Sequence, residues 1–307
     1  MVNMAVNLGS LYLKNPVTVA SGTYGFGLEY KDFYAPDKLG AIFTKGITLH
    51  KRIGNPPPRL WETPSGILNS IGLENPGVDV FIRDYLPQIK DLDTAIIPNI
   101  SGSTVEEYCR VAEKLDGEEG IAALEINISC PNVKEGGMAF GSCPNTASKV
   151  VKEVRRVTGL PLIVKLSPNV TDIVSVAKAA EEEGADALSV INTLLGLAID
   201  IRTQRPVLGN IMGGLSGPAV KPVAVRMVWQ VSQAVKIPVV GMGGIAGWQD
   251  AVEFMLAGAA AVCIGTANFP NPMVALEVLE GIEKYCKIND IDDVGKLTGK
   301  AWKEMDR

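Results

Sequence analysis

The sequence predicts an α/β protein built as one closed (β/α)8 barrel, and three observations lead to this prediction. Eight short apolar runs alternate with segments of helical periodicity along most of the 307 residues. Each run is apolar almost throughout, as parallel strands covered on both faces require. No linker, internal repeat or low-complexity tract divides the chain, so residues 1–307 are expected to form a single domain. An open doubly wound sheet is the alternative, but eight strands in regular alternation favour closure.

The elements follow in chain order. Strands are predicted at 15–22, 41–48, 95–102, 123–130, 161–168, 187–193, 237–244 and 261–267. Helices are predicted at 103–117, 145–158, 171–184, 218–235 and 247–258. In the segment 171–184 the apolar side chains share one stripe, Thr171 is placed to cap the start, and Gly184 lies where a C-terminal cap belongs. Residues 4–15 are expected to form a hairpin at the amino-terminal end of the barrel.

Two connections are unusually long for a compact domain. Residues 49–75 are rich in proline and glycine, and residues 194–216 contain several glycines and three charged side chains. Long loops inside a compact domain are usually functional. Both connections follow the carboxyl ends of predicted strands, which is the active face of a barrel.

Composition excludes several classes of protein. Apolar residues make up 47% of the chain, charged residues make up 21%, and the net charge is −5. These values do not fit a disordered chain or a nucleic-acid-binding protein. No run of about 18 apolar residues predicts a membrane span. The amino terminus does not resemble a signal peptide, so a cytoplasmic protein is expected.

The cysteine and histidine content argues against a metal site. The five cysteines contain no CxxC pair, so neither a disulfide framework nor a cysteine-rich metal or cluster site is expected. His50 is the single histidine, and it is expected in a surface or loop position. The cysteines are Cys109, Cys130, Cys143, Cys263 and Cys286.

Polar side chains interrupt five of the apolar strands near their carboxyl ends. A polar group buried in a barrel must find partners or costs several kcal/mol, so one such residue alone would be a structural hydrogen-bonding group. Five strands that deliver amides and lysines to one rim instead predict a polar, pre-formed ligand site. These residues are Lys45, Asn99, Asn127, Lys165, Asn192 and Thr193.

The last two strands end in glycines. The segments 239–251 and 263–272 place glycines just before helix starts, where bare backbone lets N–H groups approach an anion. The loops after the last two strands are the usual phosphate site of such barrels. The chain has neither a Walker A motif nor a GxGxxG turn opening a βα unit, so a mononucleotide cofactor such as FMN is predicted.

The fourth predicted strand continues into a proline- and glycine-rich segment, 128–141, that includes Cys130. A buried thiol that packs as a small hydrophobe is the commoner fate of a cysteine. The neighbours of Cys130 are polar, however, and Gly136 and Gly137 could act as hinges. A loop over the barrel mouth that carries a reactive thiol is therefore the preferred interpretation.

With these residues identified, the chain closely resembles the class 1 dihydroorotate dehydrogenases, and among them the 1B type. The resemblance covers residues 1–305, and the cysteine segment EINISCPNVKEGGMAFG is its most specific part. The other matching segments are 20–27, 43–48, 69–75, 99–102, 164–169, 191–196, 213–219, 241–245 and 264–267.

The resemblance implies oxidation of dihydroorotate to orotate in pyrimidine synthesis, with FMN as cofactor and Cys130 as the general base. The residues that match FMN-binding positions are Ser21, Lys45, Gly46, Asn99, Asn127, Lys165, Ile191, Gly217, Gly243, Gly244, Gly265 and Thr266. The residues that match substrate-binding positions are Lys45, Asn69, Ser70, Ile71, Gly72, Leu73, Asn127, Asn192 and Thr193.

The 1B type further implies an electron-transfer subunit that carries FAD and a [2Fe–2S] cluster and passes electrons to NAD⁺. A homodimeric core within a heterotetramer is expected, with no nucleic-acid or membrane partner. Two related enzymes are alternatives: a 1A-type enzyme that reduces fumarate, and a flavoenzyme similar to dihydropyrimidine dehydrogenase. Two alternatives come from other functional classes: a Schiff-base aldolase that uses Lys165 as its nucleophile, and a barrel that binds ligands without catalysis.

Overall fold

Eight parallel strands close into a barrel in the computed structural model, which describes residues 2–129, 141 and 143–305. In chain order the strands are β1 Val6–Leu8, β2 Leu11–Leu13, β3 Val17–Val19, β4 Ala41–Ile47, β5 Leu60–Thr63, β6 Gly66–Asn69, β7 Ala95–Ile100, β8 Leu124–Asn127, β9 Leu162–Lys165, β10 Ala187–Val190, β11 Leu194–Gly196, β12 Ile199–Asp200, β13 Arg205–Pro206, β14 Gly213–Ser216, β15 Val239–Met242 and β16 Ala261–Ile264. The barrel order is β10-β15-β16-β3-β4-β7-β8-β9. All eight predicted strands are present, and the prediction of a closed (β/α)8, or TIM, barrel is confirmed.

Helices surround the barrel. They are α1 Val78–Val80, α2 Leu86–Ile89, α3 Val105–Asp116, α4 Pro144–Val157, α5 Ile173–Glu182, α6 Lys221–Ala234, α7 Trp248–Ala257, α8 Val274–Ile288 and α9 Lys300–Lys303. The five predicted helices correspond to α3 through α7. A π-helical turn, Phe81–Tyr85, joins α1 to α2. Across the described ranges, no helix combines the length and the apolar character that crossing a bilayer would need.

The start of α5 differs from the prediction. The helix begins at Ile173, and Asp172 rather than Thr171 is its N-cap. Asp172 has an extended backbone, and its side chain accepts hydrogen bonds from the N–H groups of Val174 (2.9 Å) and Ser175 (3.3 Å). A capping side chain acts from the residue just before the first helical one, and Asp172 occupies that position. Gly184 follows the helix with a φ of 96°, as predicted for its end.

The predicted hairpin 4–15 forms as β1 and β2, which pair in antiparallel register. Alternate residues of both strands are buried. Gly9 at the turn approaches Asp186, just before β10, so closely that an added Cβ would lie 3.1 Å from the Asp186 carbonyl oxygen. The hairpin therefore covers the amino-terminal end of the barrel, opposite the ends where the polar residues lie.

The two long connections are more ordered than the sequence predicts. Strands β5 and β6 of the first connection join β11 and β14 of the second in an antiparallel sheet of order β11-β14-β6-β5. Asn69 of β6 lies opposite Gly214 of β14. This four-stranded roof sheet spans part of the barrel mouth. Its strands are only three or four residues long, and three of the four contain glycine, so they lack the apolar alternation that identifies a strand.

Candidate active site

A cavity of about 820 Å³ lies between the carboxyl ends of the barrel strands and the roof sheet. Every predicted site residue within the described part of the chain lines it. These residues are Ser21, Lys45, Gly46, Asn69, Ser70, Ile71, Gly72, Leu73, Asn99, Asn127, Lys165, Ile191, Asn192, Thr193, Gly217, Gly243, Gly244, Gly265 and Thr266. Cys130, with the predicted hinges Gly136 and Gly137, lies outside the described residues.

One wall of the cavity is made of side chains from neighbouring strands. Lys45, Asn99, Asn127 and Lys165 come from β4, β7, β8 and β9, which are adjacent in the barrel. The register places Asn127 directly opposite Lys165. Asn127 and Lys165 therefore lie at one level of the cavity, whereas Asn99 lies opposite Glu125, two residues earlier along β8. Lys165 is only 5% exposed, so its ammonium is held in a largely dry site.

Glu125 is a buried residue that the sequence analysis missed. It is fully buried in β8, two residues before Asn127 and on the same face of the strand. One carboxylate oxygen, Oε1, accepts a hydrogen bond from Ser189 Oγ at 2.7 Å. The other, Oε2, accepts from Asn99 Nδ2 and lies 3.8 Å from Lys165 Nζ. An acidic residue inside an otherwise apolar strand was the signal that could have identified it.

The amides above Glu125 are linked to one another. Asn127 Nδ2 donates to Asn99 Oδ1 at 3.4 Å, and Asn127 Oδ1 accepts from Ser129 Oγ at 2.7 Å. Asn192 Nδ2 in turn donates to Ser129 Oγ. The hydroxyl of Tyr108, on α3, donates to the backbone carbonyl of Asn127 at 2.8 Å and so holds the end of β8.

The roof sheet supplies the side of the cavity farthest from the barrel core. Asn69 Nδ2 donates to the carbonyl of Gly214 across the β6–β14 pair at 3.3 Å. Ser70 follows directly, is 3% exposed, and its hydroxyl has no hydrogen-bond partner within the ranges that the structure describes. A buried hydroxyl without a partner is costly, so a polar ligand group in the cavity would satisfy it.

The opposite wall is made of backbone. Gly217, Gly243 and Gly244 have φ values of 100°, 116° and 86°, which favour glycine. A Cβ on Gly244 would lie 2.9 Å from the Gly217 carbonyl oxygen, so these turns are closely packed. Thr266 begins a short 3₁₀ turn after β16, and its hydroxyl donates to Ser216 Oγ at 2.7 Å. Exposed backbone at such turns after the last two barrel strands is suited to a phosphate.

The remaining cysteines do not supply a reactive thiol to the cavity. Cys263 lines the cavity at the end of β16, but burial raises the pKa of its thiol to about 12, so it stays protonated at neutral pH. Cys109, Cys143 and Cys286 do not line the cavity. Burial raises the pKa of the Cys109 and Cys286 thiols, whereas hydrogen bonding to Thr146 lowers the pKa of the Cys143 thiol. In the described ranges, no group of three or more histidine, cysteine or carboxylate side chains is arranged to hold a metal ion.

The fold and this cavity define a class: (β/α)8-barrel proteins with a ligand-sized cavity at the carboxyl ends of their strands. A protein-family comparison is more specific. The family model described as dihydroorotate dehydrogenase matches residues 3–286. The chain therefore belongs to the dihydroorotate dehydrogenase family, and the resemblance identified from its motifs is confirmed.

Curated relatives match the chain over nearly its whole length. It is 61% identical to the dihydroorotate dehydrogenase B (NAD(+)) catalytic subunit of Desulforamulus reducens, over 98% of this chain and 99% of that one. Proteins of the same name from Bacteroides thetaiotaomicron and Thermoanaerobacter pseudethanolicus are 56% and 55% identical. The alignments cover 97% of this chain in both cases, and 99% and 98% of the two relatives.

Proposed function

We propose that this chain oxidises dihydroorotate to orotate in pyrimidine synthesis, with FMN as its cofactor. The observation that carries the proposal is the cavity: every described residue that the family resemblance assigns to FMN or to substrate lines it. The names of the relatives give the same substrate.

The residues of the cavity fit FMN. Gly243, Gly244 and Thr266 would receive its phosphate on the backbone wall, where glycine turns leave N–H groups accessible. Lys165 and Lys45 would lie against the polar edge of the flavin ring, where negative charge collects on reduction. When bound, FMN supplies the acceptor for a hydride from carbon 6 of the substrate.

The substrate would be held between the amide wall and the roof sheet. Asn69, Asn127 and Asn192 each offer a donor and an acceptor, which suits the alternating polar edge of a pyrimidine. The unpartnered Ser70 hydroxyl and the backbone N–H groups of residues 71–73 would be the donors to the substrate carboxylate, since the Ser70 N–H already donates to the Arg59 carbonyl at 2.8 Å. This recognition by uncharged donors is compatible with the net charge of −5.

Cys130 would remove the proton from carbon 5 of dihydroorotate. As the proton leaves carbon 5 for the thiolate and the hydride leaves carbon 6, the carbon–carbon double bond of orotate forms. A thiolate serves as a general base when its pKa is near the working pH. This role rests on the family resemblance of the segment around Cys130.

Electrons would leave through a second subunit. The relatives are named as catalytic subunits of NAD(+)-dependent enzymes, which supports a partner that carries FAD and a [2Fe–2S] cluster and delivers electrons to NAD⁺. Exposed apolar side chains near the roof sheet, such as Ile199, Ile201 and Ile211, are suited to subunit contacts. A cytoplasmic heterotetramer built on a homodimer of this single-domain chain is part of the proposal.

The visible spectrum and anaerobic reduction of the purified chain test the proposal. The protein should be yellow with bound FMN, and dihydroorotate, but not dihydrouracil, should bleach the flavin absorbance. A colourless protein that forms a borohydride-trapped imine at Lys165 would instead favour the aldolase alternative. Bleaching by dihydrouracil would favour an enzyme similar to dihydropyrimidine dehydrogenase.

A second assay separates the electron acceptors. The chain alone should reduce artificial dyes and barely reduce NAD⁺, and the co-expressed partner subunit should restore NAD⁺ reduction. Rapid turnover of the isolated chain with fumarate would overturn the NAD⁺ proposal while leaving dihydroorotate oxidation intact.

A further inference from the structure

A single chain of hydrogen bonds connects the barrel interior to the substrate side of the cavity. Asn99 Nδ2 donates to Glu125 Oε2, and Asn127 Nδ2 donates to Asn99 Oδ1 at 3.4 Å. Ser129 Oγ donates to Asn127 Oδ1 at 2.7 Å. Asn192 Nδ2 donates to Ser129 Oγ, and the chain ends where the Thr193 N–H donates to Asn192 Oδ1 at 2.8 Å.

All of these bonds run in one direction, and three groups fix it. A carboxylate has no donor and can only accept, so Asn99 must turn its NH₂ group toward Glu125, which leaves its carbonyl oxygen for Asn127. Asn127 and Asn192 are oriented by backbone donors, because the N–H groups of Ser129 (3.3 Å) and Thr193 (2.8 Å) donate to their Oδ1 atoms. Asn99 has no such backbone donor among its bonds in this chain, so without the carboxylate its amide can turn over and exchange its donor for its acceptor.

Glu125 also acts on the lysine of the same wall. Its Oε2 atom is 3.8 Å from Lys165 Nζ, and both side chains are almost completely buried. Ser189 occupies the other carboxylate oxygen, so three side chains hold Glu125 in place. Glu125 does not itself line the cavity, whereas Asn99, Asn127, Lys165 and Asn192 do. Its effect on any ligand is therefore transmitted through Asn99 and Lys165, the two cavity-lining side chains that it contacts.

We propose that Glu125 is a positioning residue that orients the ligand-binding amide of Asn99 and holds the ammonium of Lys165. The proposal rests on the proposed function, because FMN and orotate are the probes of its test. The carboxylate sets which amide edge Asn99 can present to a ligand. Because a ligand group that meets the wrong amide edge leaves a buried polar group unpaired, the orientation governs affinity.

Glu125→Gln tests the proposal because it removes the charge and keeps the shape. A glutamine amide can present its NH₂ group to Asn99, which lets the Asn99 amide turn over. The variant should bind FMN about tenfold more weakly, as expected for loss of one charge-assisted hydrogen bond. Orotate binding to the reconstituted protein should weaken less, because backbone N–H groups keep Asn127 and Asn192 in place. The midpoint potential of the bound flavin should become more positive, because a negative charge is removed from beneath the cavity. A purely structural role would not change the potential.

Two further variants locate the effect. Ser129→Ala breaks the chain between Asn127 and Asn192, so it should weaken orotate binding about tenfold while FMN affinity stays within about twofold. Ser189→Ala is the matched control, because it removes a partner of Glu125 that is not part of the chain. It should leave both affinities within about twofold of the wild type. Melting temperatures of all three variants are measured alongside.

Wild-type affinities within about twofold in Glu125→Gln, with an unchanged flavin potential, would overturn the inference. If Glu125→Gln does not fold, Glu125→Asp decides, because its shorter side chain withdraws the carboxylate from Asn99 and Lys165, and unchanged FMN binding in that variant would overturn the inference equally. A wild-type chain that binds neither FMN nor orotate would instead contradict the proposed function. The two failures are thus distinguishable.

Discussion

The two walls of the cavity differ in what they present to it: one presents side chains and the other presents backbone. The wall formed by β4, β7, β8 and β9 presents ammonium and amide side chains, which are anchored below by the buried carboxylate of Glu125. The wall formed by the turns after β14, β15 and β16 presents glycine backbone, at positive φ in the first two of these turns. A side-chain wall is sensitive to changes of charge and hydrogen-bonding pattern, whereas a backbone wall is sensitive to any added side-chain volume.

Replacing Cys130, which follows the strand β8 of the side-chain wall, should give the largest effect. We expect Cys130→Ala to lose about 100-fold or more of the turnover rate, because a general base is removed, while keeping its FMN. Cys130→Ser should retain slight activity at high pH, since a hydroxyl is a poorer base. Steady-state assays together with the flavin absorbance of the purified variants give the comparison. Wild-type turnover in Cys130→Ala would exclude the assignment.

Replacing Lys165 on the side-chain wall should lower both the affinity for FMN and the stability of the protein. Lys165→Met should weaken FMN binding by about tenfold to 100-fold, through loss of charge-assisted contacts, and should also lower the melting temperature. The stability loss arises because Glu125 is left buried without its cation.

The double variant Lys165→Met/Glu125→Gln is the matched control for this prediction. It should recover part of the melting temperature without recovering FMN affinity, because no unpaired buried charge remains. A Lys165→Met protein that purifies fully yellow and is reduced normally by substrate would show that Lys165 does not bind the flavin.

A single methyl group should disturb the backbone wall. Gly244 has a φ of 86°, and an added Cβ would lie 2.8 Å from Lys221 Cβ and 2.9 Å from the Gly217 carbonyl oxygen. Gly244→Ala should therefore displace the turn and weaken FMN binding about tenfold, since left-handed backbone alone costs ~1–2 kcal/mol. Gly117→Ala, where an added Cβ has no atom within 4 Å, is the control and should bind FMN normally. Equal FMN affinities of Gly244→Ala and Gly117→Ala would show that the backbone wall is not sensitive to added side-chain volume.

The smallest expected effect concerns Asp250, which holds the segment after the β15 turn of the backbone wall. Asp250 accepts hydrogen bonds from the N–H groups of Ala246 (2.9 Å) and Gly247 (3.2 Å) and pairs with Lys221 at 2.7 Å. Asp250→Asn should lower the free energy of unfolding by ~1 kcal/mol at neutral pH, which urea denaturation measures.

The same variant should change the alkaline dependence of stability. The carboxylate of Asp250, and to a smaller extent that of Glu253, holds the pKa of the Lys221 ammonium above its usual 10.5. A raised lysine pKa stabilises the folded state fully below pH 10.5, and this contribution is lost as the pH rises through the raised value. Urea denaturation should show that the free energy of unfolding falls less between neutral and strongly alkaline pH in Asp250→Asn than in the wild type. An equal fall in both proteins would exclude the Asp250–Lys221 pair as a cause of the alkaline loss of stability.

The sequence was sufficient to predict the barrel and most of the cavity. Buried parallel strands are mostly apolar, so a lysine or asparagine near the carboxyl end of such a strand, as at Asn99 or Lys165, stands out from its neighbours. Glycine turns after the last two strands are equally visible. Both walls could therefore be identified from the residue types and from the places where strands end.

The roof sheet and Glu125 could not be predicted in the same way. The strands β5, β6, β11 and β14 are short, and they become a sheet only because two distant segments meet. Glu125 lies within the strand rather than at its end, and its role depends on partners from three other strands, at Asn99, Lys165 and Ser189. Tertiary pairing of this kind leaves little trace in local periodicity.

The pairing of β6 with β14 also bears on how the protein is made. Asn69 and Gly214 are separated by 145 positions, so the hairpin β5–β6 leaves the ribosome long before its neighbour in the sheet exists. Until then β6 has an open edge, and Leu60 and Trp61 on β5 remain partly exposed even in the finished protein. The cavity acquires its roof only after residue 216 has been synthesised. A ligand can therefore be enclosed in the cavity only after at least the first two-thirds of the chain has been synthesised, and until then the open edge of β6 is the kind of edge that promotes unwanted strand pairing.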